Sequence, residues 1–351
     1  EASAELGNPS SPHAWGQSAR HRIDRSRQAI ATCIDASPDQ IIFTSGGTES
    51  NNIALAAAVA EKNRAHLIVS SVEHSSVRQY AKHLESLGHE ISYCPVDTNG
   101  QIDLVALESM CRPDTALLSI MSVNNESGII HDSAAISKIA KEKGIPLHID
   151  ACQSLGKVKV SIQDWDVDYL SLSAQKAYGP AGVGALYVKN IADCSPLIRG
   201  GGQEAGLRSG TPNIIGIAGF GAAIDYVNAH MNDALPRLST FKRKLEAEIK
   251  SWDIPLQIHG EGTTCLDSCI NICFPGISAV RLMMKLDMKG IAISTGSACS
   301  SGSIDPSPIL LGMGISEDDC LSSIRVSMGY MSTEDEIQEF LDTLHTALKN
   351  S

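Results

Sequence analysis

Three short polar segments of this sequence carry side chains suited to group-transfer chemistry. The first, Thr44–Ser50, places two glycines and several hydroxyl groups between a predicted strand and a predicted helix. The unpaired N–H groups at such a helix start bind a phosphate without a basic residue. No lysine follows the second glycine, which excludes a Walker motif. The segment therefore predicts either a phosphate site or an ordinary capped turn.

A carboxylate and a lysine follow two further predicted strands. Asp150 ends one strand, and Lys176 lies 26 residues later, just beyond the next. Open parallel sheets bind their ligands at the carboxyl ends of strands. The pair suits pyridoxal phosphate, because the lysine forms an imine with the aldehyde while the carboxylate keeps the pyridine nitrogen protonated. A structural ion pair between the two residues is the alternative that remains open.

The third segment surrounds Cys299 with small polar residues, between a predicted strand and a predicted helix. A cysteine in a polar loop is placed to act as a nucleophile, although it can also be incidental. The chain has 10 cysteines in 351 residues, too few for a disulfide scaffold, so reduced thiols are expected. No histidines cluster near Cys265, Cys269 and Cys273, and we predict no metal site.

The elements that must position these residues alternate between strand and helix. Continuous apolar runs such as Ile41–Thr44 and Asp168–Ser173 alternate with helical patterns as far as Val188. This pattern predicts an α/β fold with a mainly parallel sheet sandwiched by helices. Two long helices are then predicted, over Ile214–Asn228 and Leu238–Trp252.

Shorter strands and a final helix follow these two helices, and that last helix opens with a capping box at Thr333. We expect a large domain over 1–229 and a smaller α+β domain over 230–351 that carries the cysteine loop. Glu1 begins in the middle of a pattern, so one or two further strands are expected upstream.

Composition excludes some classes of partner. The chain has 28 Lys and Arg against 40 Asp and Glu, for a formal net charge of −12. This balance argues against direct binding of nucleic acid or of an anionic membrane. No apolar run approaches 18 residues, and the first residues do not resemble a signal peptide. A cytoplasmic protein is expected.

Eight segments together resemble the cysteine desulfurases, in the class V branch of the type I pyridoxal-phosphate enzymes. They are Thr44–Asn52, Val72–His74, Val123–Glu126, Asp150–Gln153, Ser173–Lys176, Gly200–Glu204, Arg208–Thr211 and Gly296–Cys299. The resemblance runs from Asn8 to about residue 345. The Ser-x-Gly-Ser-Ala-Cys loop is similar to the group that contains the iron–sulfur and nitrogen-fixation desulfurases. It implies a type I fold, pyridoxal phosphate, L-cysteine as substrate, a homodimer and a sulfur-acceptor protein.

The resemblance also implies roles for individual residues around the cofactor. Lys176 would hold the cofactor and later move the substrate α-proton, and Asp150 would pair with the pyridine nitrogen. Gln153 would bond the phenolic oxygen, and His74 would stack on the ring and shuttle a proton. The phosphate would be held by Gly47, Thr48 and Ser173, with Thr211 from the partner subunit.

Three residues would handle the substrate. Asn125 would lie beside the cofactor and the substrate carboxylate, and Arg325 would clamp that carboxylate bidentately. Cys299 would attack the substrate sulfur, leaving alanine and an enzyme persulfide. Without the resemblance, His74 and Asn125 could be satisfied polar residues at strand ends, Arg325 a surface ion pair and Thr211 a helix cap.

The chain departs from the family pattern at three places. Gln175 replaces the histidine that usually precedes the lysine, so this cofactor contact cannot carry charge. Ala205 replaces an arginine near the active-site mouth. The chain stops soon after Lys349, without the tail that docks the scaffold protein of the housekeeping enzymes. A dedicated paralogue is expected, serving iron–sulfur assembly (including nitrogenase maturation), tRNA thiolation or DNA phosphorothioation.

Two other functions remain open on the sequence alone. The same cofactor would also serve a selenocysteine lyase or an aminotransferase. A non-catalytic assembly subunit is the other alternative, in which Gln175 would mark a decayed site.

Overall fold

The computed structural model describes residues 7–295 and 305–349, and contacts divide the chain into two compact units. The first unit extends to Cys94 and continues through Leu104–Val123 and Asp132–Ala229, and the second combines Pro95–Asp103, Asn124–His131 and the chain from His230 onward. Two segments before residue 230 thus belong with the second unit. A single domain boundary after residue 229 stays a prediction.

The sheet of the first unit has seven short strands among the described residues. They are β1 (Ile41–Thr44), β2 (His66–Ser70), β3 (Glu90–Cys94), β4 (Thr115–Met121), β5 (Leu147–Asp150), β6 (Tyr169–Ser173) and β7 (Gly184–Val188). Their order is β1-β7-β6-β5-β4-β2-β3, and the pairings from β3 through to β6 are parallel. The predicted mainly parallel sheet is confirmed.

Strand β7 is the exception, because it runs antiparallel to both β6 and β1. The residues between β6 and β7 include only a single turn of 3₁₀-helix, Ala174–Lys176. A parallel neighbour requires a crossover connection of about a dozen residues or more. The short connection therefore reverses the chain.

Helices cover the first unit's sheet. They are α1 (Ala14–Cys33), α2 (Gly47–Val59), α3 (Ser75–Ser86), α4 (Leu104–Met110), α5 (Ser133–Lys143), α6 (Ile162–Trp165) and the start of α7 (Ile214–Ser251). Strands β4 and β5 are buried at every position, as strands covered on both faces must be. Inside the sheet, His148 hydrogen-bonds Ser119 and Ser171, and burial lowers its pKa to about 4. His148 is therefore a neutral core residue.

Helix α7 corrects one prediction. The two helices expected over Ile214–Asn228 and Leu238–Trp252 are one continuous helix, Ile214–Ser251. Val227, Ala234 and Leu238 are all buried, at spacings of seven and four residues that keep one face of a helix inward. Pro236 removes one backbone donor without ending the helix.

The second unit contains a smaller antiparallel sheet. Its strands are β8 (Gln257–His259), β9 (Cys269–Cys273), β10 (Ser294–Thr295) and β11 (Ser323–Ser327), in the order β10-β11-β9-β8. Its helices after α7 are α8 (Ala279–Asp287), α9 (Pro308–Gly312), α10 (Glu317–Leu321) and α11 (Glu334–Lys349). Thr333 and Glu336 each accept the other's backbone N–H, which confirms the predicted capping box.

The helices in the described part of the chain include no candidate membrane span. None of the helices there combines the length and the apolar character that crossing a bilayer requires.

Candidate active site

The glycine-rich turn between β1 and α2 forms an open cradle of backbone N–H groups. Gly46 adopts a φ of 151°, which side chains rarely tolerate, and α2 begins at Gly47. A Cβ atom on Gly47 would lie 2.3 Å from the Sγ atom of Cys152, so only glycine fits there. Thr48 is exposed beside it. The start of this 13-residue helix is therefore free to bind an anion.

Glu49 fixes the shape of this turn. Its Oε2 accepts the backbone N–H of Ser45 at 2.8 Å, and its carboxylate forms an ion pair with Arg208 at 2.8 Å. Burial opposes ionisation of Glu49, yet the hydrogen bonds from Arg208 and Ser45 lower its pKa below the usual value. The pair also ties the turn to the segment that carries Thr211, an exposed residue.

Asp150 ends β5 as a buried carboxylate with two donors. Its Oδ1 accepts the backbone N–H of Cys152 at 3.0 Å, and its Oδ2 accepts from Asn51 Nδ2 at 2.7 Å. The side chain has only 5% exposure. Each carboxylate oxygen keeps a lone pair beyond the bond it accepts, so Asp150 is suited to meet a protonated ring nitrogen.

His74 lies close to Asp150 and caps the first turn of α3. Its Nδ1 accepts the backbone N–H of Ser76 at 3.1 Å. Burial lowers the pKa of His74; the Asp150 charge raises it and the Lys176 charge lowers it. The imidazole is therefore neutral at physiological pH.

Lys176 lies just beyond β6, the strand that pairs with β5. Lys176 and Gln175 are exposed, whereas Ser173 at the strand end is buried. The Lys176 charge acts on the pKa of His74 and also lowers that of Cys152, which burial raises far above its usual value. The structure thus brings Asp150, His74 and Lys176 into one electrostatic group.

Gln153 follows Asp150 on the same loop, and a lysine fixes its amide. Lys157 Nζ donates to Gln153 Oε1 at 2.6 Å. An ammonium group can only donate, so the oxygen of the amide must face it. The Nε2 group of Gln153 is left as the donor for a ligand.

The second unit brings Asn125 and Arg325 together. Arg325, on β11, donates from Nη1 to the backbone oxygen of Asn125 at 2.8 Å and from Nη2 to Ser294 Oγ at 3.1 Å. Both Arg325 Nε and Asn125 Oδ1 are buried without a partner among the described residues. Buried polar groups are normally paired, so these two atoms indicate a polar ligand. They suit a carboxylate and its neighbouring groups.

Cys299 lies outside the described residues. Nine other cysteines are described, and all are free thiols. Burial raises the pKa of most of them, to about 11 for Cys33, Cys194 and Cys320. Thiols with raised pKa values are poor nucleophiles. The described residues contain no cluster of three or more His, Cys, Asp or Glu placed to hold a metal ion.

Sequence reasoning missed several residues that support this site. Asn51 and Glu49 lie in the first matched segment, but nothing in the sequence pairs them with Asp150 and Arg208. Glu73 is fully buried beside His74, and burial raises its pKa to about 8. Its Oε1 accepts from Ser70 and from the backbone of Met121. Its place in the matched segment Val72–His74 is the sequence signal that points to it.

Comparisons with known proteins agree with one another. The sequence profile of the family Aminotransferase class-V matches residues 2–340. The chain is 40% identical over 348 residues to the cysteine desulfurase IscS of Dictyoglomus turgidum, covering 98% of this chain and 88% of that protein. It is also 40% identical to IscS of Proteus mirabilis, over 98% of this chain and 85% of that protein.

Solved structures give the same result. A NifS-like protein superposes with a TM-score of 0.92 at 33% identity, covering 99% of this chain and 93% of that one. SspA in complex with cysteine has a TM-score of 0.81 at 33% identity, with 94% and 93% covered. DndA from Streptomyces lividans has a TM-score of 0.79 at 32% identity, with 93% and 92% covered.

Proposed function

The chain belongs to the class V aminotransferase family, and we propose that Lys176, Arg325 and Cys299 are the residues through which it acts as a cysteine desulfurase. The activity is the pyridoxal-phosphate-dependent removal of sulfur from L-cysteine, and the two cysteine desulfurases IscS that the chain resembles align with 98% of it. The roles of single residues, the sulfur acceptor and the assembly are proposals.

The residues of the first unit fit pyridoxal phosphate. The carboxylate of Asp150 already accepts two hydrogen bonds and has lone pairs left for a protonated pyridine nitrogen. The start of α2, where a Cβ on Gly47 would meet Cys152, offers backbone donors to a phosphate, beside Thr48 and Ser173. Bound there, the cofactor supplies an electron sink for the pair of electrons released at the substrate Cα.

Lys176 and Gln153 would act on the cofactor side of the reaction. The exposed Lys176 would hold the cofactor through Nζ, and the same nitrogen would take the proton from Cα of cysteine and return a proton to form alanine. Gln153 would donate from Nε2 to the phenolic oxygen of the cofactor, because Lys157 occupies its Oε1. Gln175, exposed beside the lysine, adds an uncharged contact.

Arg325 and Asn125 would hold the substrate carboxylate. Arg325 Nη1 and Nη2 each donate one hydrogen bond within the protein, and Nε is buried without a partner among the described residues, which leaves Nε–H and one Nη2–H on neighbouring nitrogens for a ligand. Two parallel donors on one edge match the two oxygens of a carboxylate. This geometry fixes the direction of the amino acid.

Cys299 would complete the reaction as a thiolate nucleophile. Its sulfur attacks the sulfur of the substrate, so that an S–S bond forms while the substrate C–S bond breaks. The two electrons of the broken bond remain with the carbon, which is protonated to give alanine, and the enzyme keeps a persulfide. No external oxidant or reductant is needed.

We further propose a homodimer that passes the persulfide sulfur to an acceptor protein in the cytoplasm. A net charge of −12 disfavours direct contact with nucleic acid, so an acceptor would carry the sulfur onward. The exposed Thr211 supports a role across a subunit boundary. Capture of partners on protein loaded with persulfide would identify the acceptor.

The observation that carries the proposal is the grouping of Asp150 and Lys176, at the ends of the neighbouring strands β5 and β6, with His74 at the start of α3. The purified protein should form one alanine for each sulfur removed from L-cysteine in the presence of pyridoxal phosphate. Lys176→Ala should lose the cofactor's absorbance band and all alanine formation, whereas the exposed Lys159→Ala should retain both. Formation of a keto acid, or turnover of selenocysteine alone, would contradict it.

A further inference from the structure

A row of hydrogen bonds joins Asp150 to His74 through two side chains that the proposed reaction does not use. Asn51, on α2, donates from Nδ2 to Asp150 Oδ2 at 2.7 Å and to Ser76 Oγ at 2.8 Å. The same Ser76 oxygen lies 2.8 Å from His74 Nδ1. Asn51 and Ser76 have exposures of 1% and 8%, so water does not compete freely for these bonds.

The direction of each bond follows from which groups can only donate. A carboxylate accepts, so the atom of Asn51 that faces Asp150 is the amide nitrogen. That nitrogen donates its second hydrogen to Ser76 Oγ, which leaves the single hydroxyl hydrogen of Ser76 for His74 Nδ1. The backbone N–H of Ser76 also points at His74 Nδ1, at 3.1 Å. Nδ1 therefore accepts twice and carries no proton.

The side-chain amide of Asn51 is oriented so that Nδ2 makes two hydrogen bonds while Oδ1 makes none among the described residues. Asn51 Oδ1 is buried and has no partner among the described residues. Leaving such an atom unpaired is unfavourable, and rotating the amide would place its oxygen against the Asp150 carboxylate. Asp150 thus fixes the amide, and the amide fixes the serine hydroxyl.

We propose that Asn51 and Ser76 are positioning residues that hold His74 as the neutral tautomer with its proton on Nε2. In that state the imidazole offers an N–H donor to a bound ligand, and its lone-pair nitrogen is already occupied. A proton shuttle through His74 would require Nδ1 to give up both of its donors. The inference rests on the proposed function and specifies the tautomer of His74 in the cofactor site.

The charges around His74 agree with this state. Burial is the largest influence and lowers its pKa; Asp150, from β5, raises it, and Lys176, beyond β6, lowers it. The neighbouring Glu73 is buried, with a pKa raised to about 8, and adds no full negative charge at neutral pH.

Nitrogen-15 NMR of protein labelled in histidine distinguishes protonated from unprotonated ring nitrogens directly. His74→Gln would assign the signals of His74 among the 11 histidines, in the protein before and after addition of pyridoxal phosphate. We expect an unprotonated Nδ1 and a protonated Nε2 throughout the neutral range. A proton on Nδ1 in the wild-type protein would overturn the proposal.

Two variants and one control test the row itself. Ser76→Ala removes the hydroxyl donor and should raise the protonation midpoint of His74 by roughly half to one pH unit, the equivalent of one hydrogen bond. Asn51→Leu should raise it at least as far, because a freed Ser76 hydroxyl can accept from a protonated Nδ1. Asn52→Ala is the matched control, since its amide donates to the Ser76 backbone oxygen, outside the row.

An unchanged midpoint in Ser76→Ala, or an equal rise in Asn52→Ala, contradicts the proposal, and Ser76→Ala decides alone should Asn51→Leu not fold. The NMR readout requires no substrate. Loss of the cofactor band or of alanine formation in the Lys176 variant therefore tests the proposed function separately.

Discussion

At the scale of single residues, Lys157 fixes the orientation of the Gln153 side-chain amide. An amide side chain can turn either its oxygen or its nitrogen toward a ligand, and the 2.6 Å bond from Lys157 Nζ removes that freedom. A ligand oxygen then meets a donor already in place, which lowers the cost of ordering on binding.

Lys157→Met should therefore weaken cofactor binding while the fold is retained. Loss of one oriented hydrogen bond corresponds to a rise in Kd of about 3- to 10-fold, since such a bond contributes roughly 0.5–1.5 kcal/mol. Titration of the protein with pyridoxal phosphate measures it. Lys159→Met is the matched control, because Lys159 is exposed and pairs with Asp164. Equal affinity in the two variants would contradict this role.

The buried carboxyl group of Glu73 makes the free energy of unfolding of the protein depend on pH. Its pKa rises from 4.5 to about 8 on burial, so the folded protein holds a proton that the unfolded chain loses between these values. Protons bound by the folded state alone make the free energy of unfolding fall as pH increases through that window, and the loss is complete above the folded pKa.

Glu73→Gln should remove this dependence, because the amide keeps an oxygen for Ser70 and Met121 and carries no charge. Relative to the wild type, the variant should gain more than about 1 kcal/mol in unfolding free energy between pH about 5 and about 8, since one pKa unit equals 1.36 kcal/mol. Urea unfolding at both pH values measures it. A constant difference between the two proteins would show that Glu73 is ionised in the fold.

At the scale of elements, the ion pair of Glu49 with Arg208 holds the start of α2 against the segment that carries Thr211. The side chains are only 10% and 23% exposed. Removing one partner leaves a largely buried charge, which is more costly than the loss of a surface pair.

Arg208→Met should lower the unfolding free energy by about 2–4 kcal/mol and weaken the binding of phosphate at the turn. Arg25→Met is the control, because Arg25 and Asp225 are 78% and 59% exposed and 3.8 Å apart. That change should cost less than about 1 kcal/mol. Thermal unfolding and phosphate titration of both variants provide the measurement; similar losses in the two would contradict the assignment.

The sequence alone predicts those features that depend on local pattern and on strand ends. Asp150 and Lys176 follow apolar runs, and the carboxyl ends of parallel strands share one edge of a sheet, which is enough to bring the two residues together. The single helix α7 is not predicted, because polar residues and Pro236 interrupt its apolar pattern, although the buried face continues through Ala234.

Hydrogen-bond partners distant in the sequence could not be predicted. Asn51 meets Asp150 across 99 residues and Ser76 across 25. No spacing rule links three such polar residues, because only the packing of α2 against α3 and the end of β5 brings them together. Lys157, four residues after Gln153, is nearer, but its role depends on the turn between them.

At the scale of the whole molecule, the residues proposed to hold the cofactor and those proposed to hold the substrate carboxylate belong to different units. Asp150, His74 and Lys176 belong to the first unit, and Asn125 and Arg325 to the second. Asn125 belongs to the second unit because it lies in Asn124–His131. In the sequence this segment stands between two parts of the first unit.

The proposed homodimer predicts a solution mass of twice that of the chain by light scattering. Ile215 is 59% exposed, close in sequence to Thr211. Ile215→Asp should favour the monomer and weaken cofactor binding, because Thr211 would no longer reach the partner's phosphate. Met284→Asp, at 57% exposure in the second unit, is the control and should remain dimeric. A wild-type monomer that binds the cofactor fully would contradict the homodimer.

The most direct test of the central claim is mass spectrometry of the protein after one turnover with L-cysteine. We predict one additional sulfur atom on the peptide that contains Cys299, formed together with one alanine. Cys299→Ala should retain the cofactor band and form no persulfide, whereas Cys33→Ala, whose thiol has a pKa of about 11, should behave as the wild type. Additional sulfur on another cysteine, or persulfide formation at the wild-type yield in Cys299→Ala, would contradict the claim.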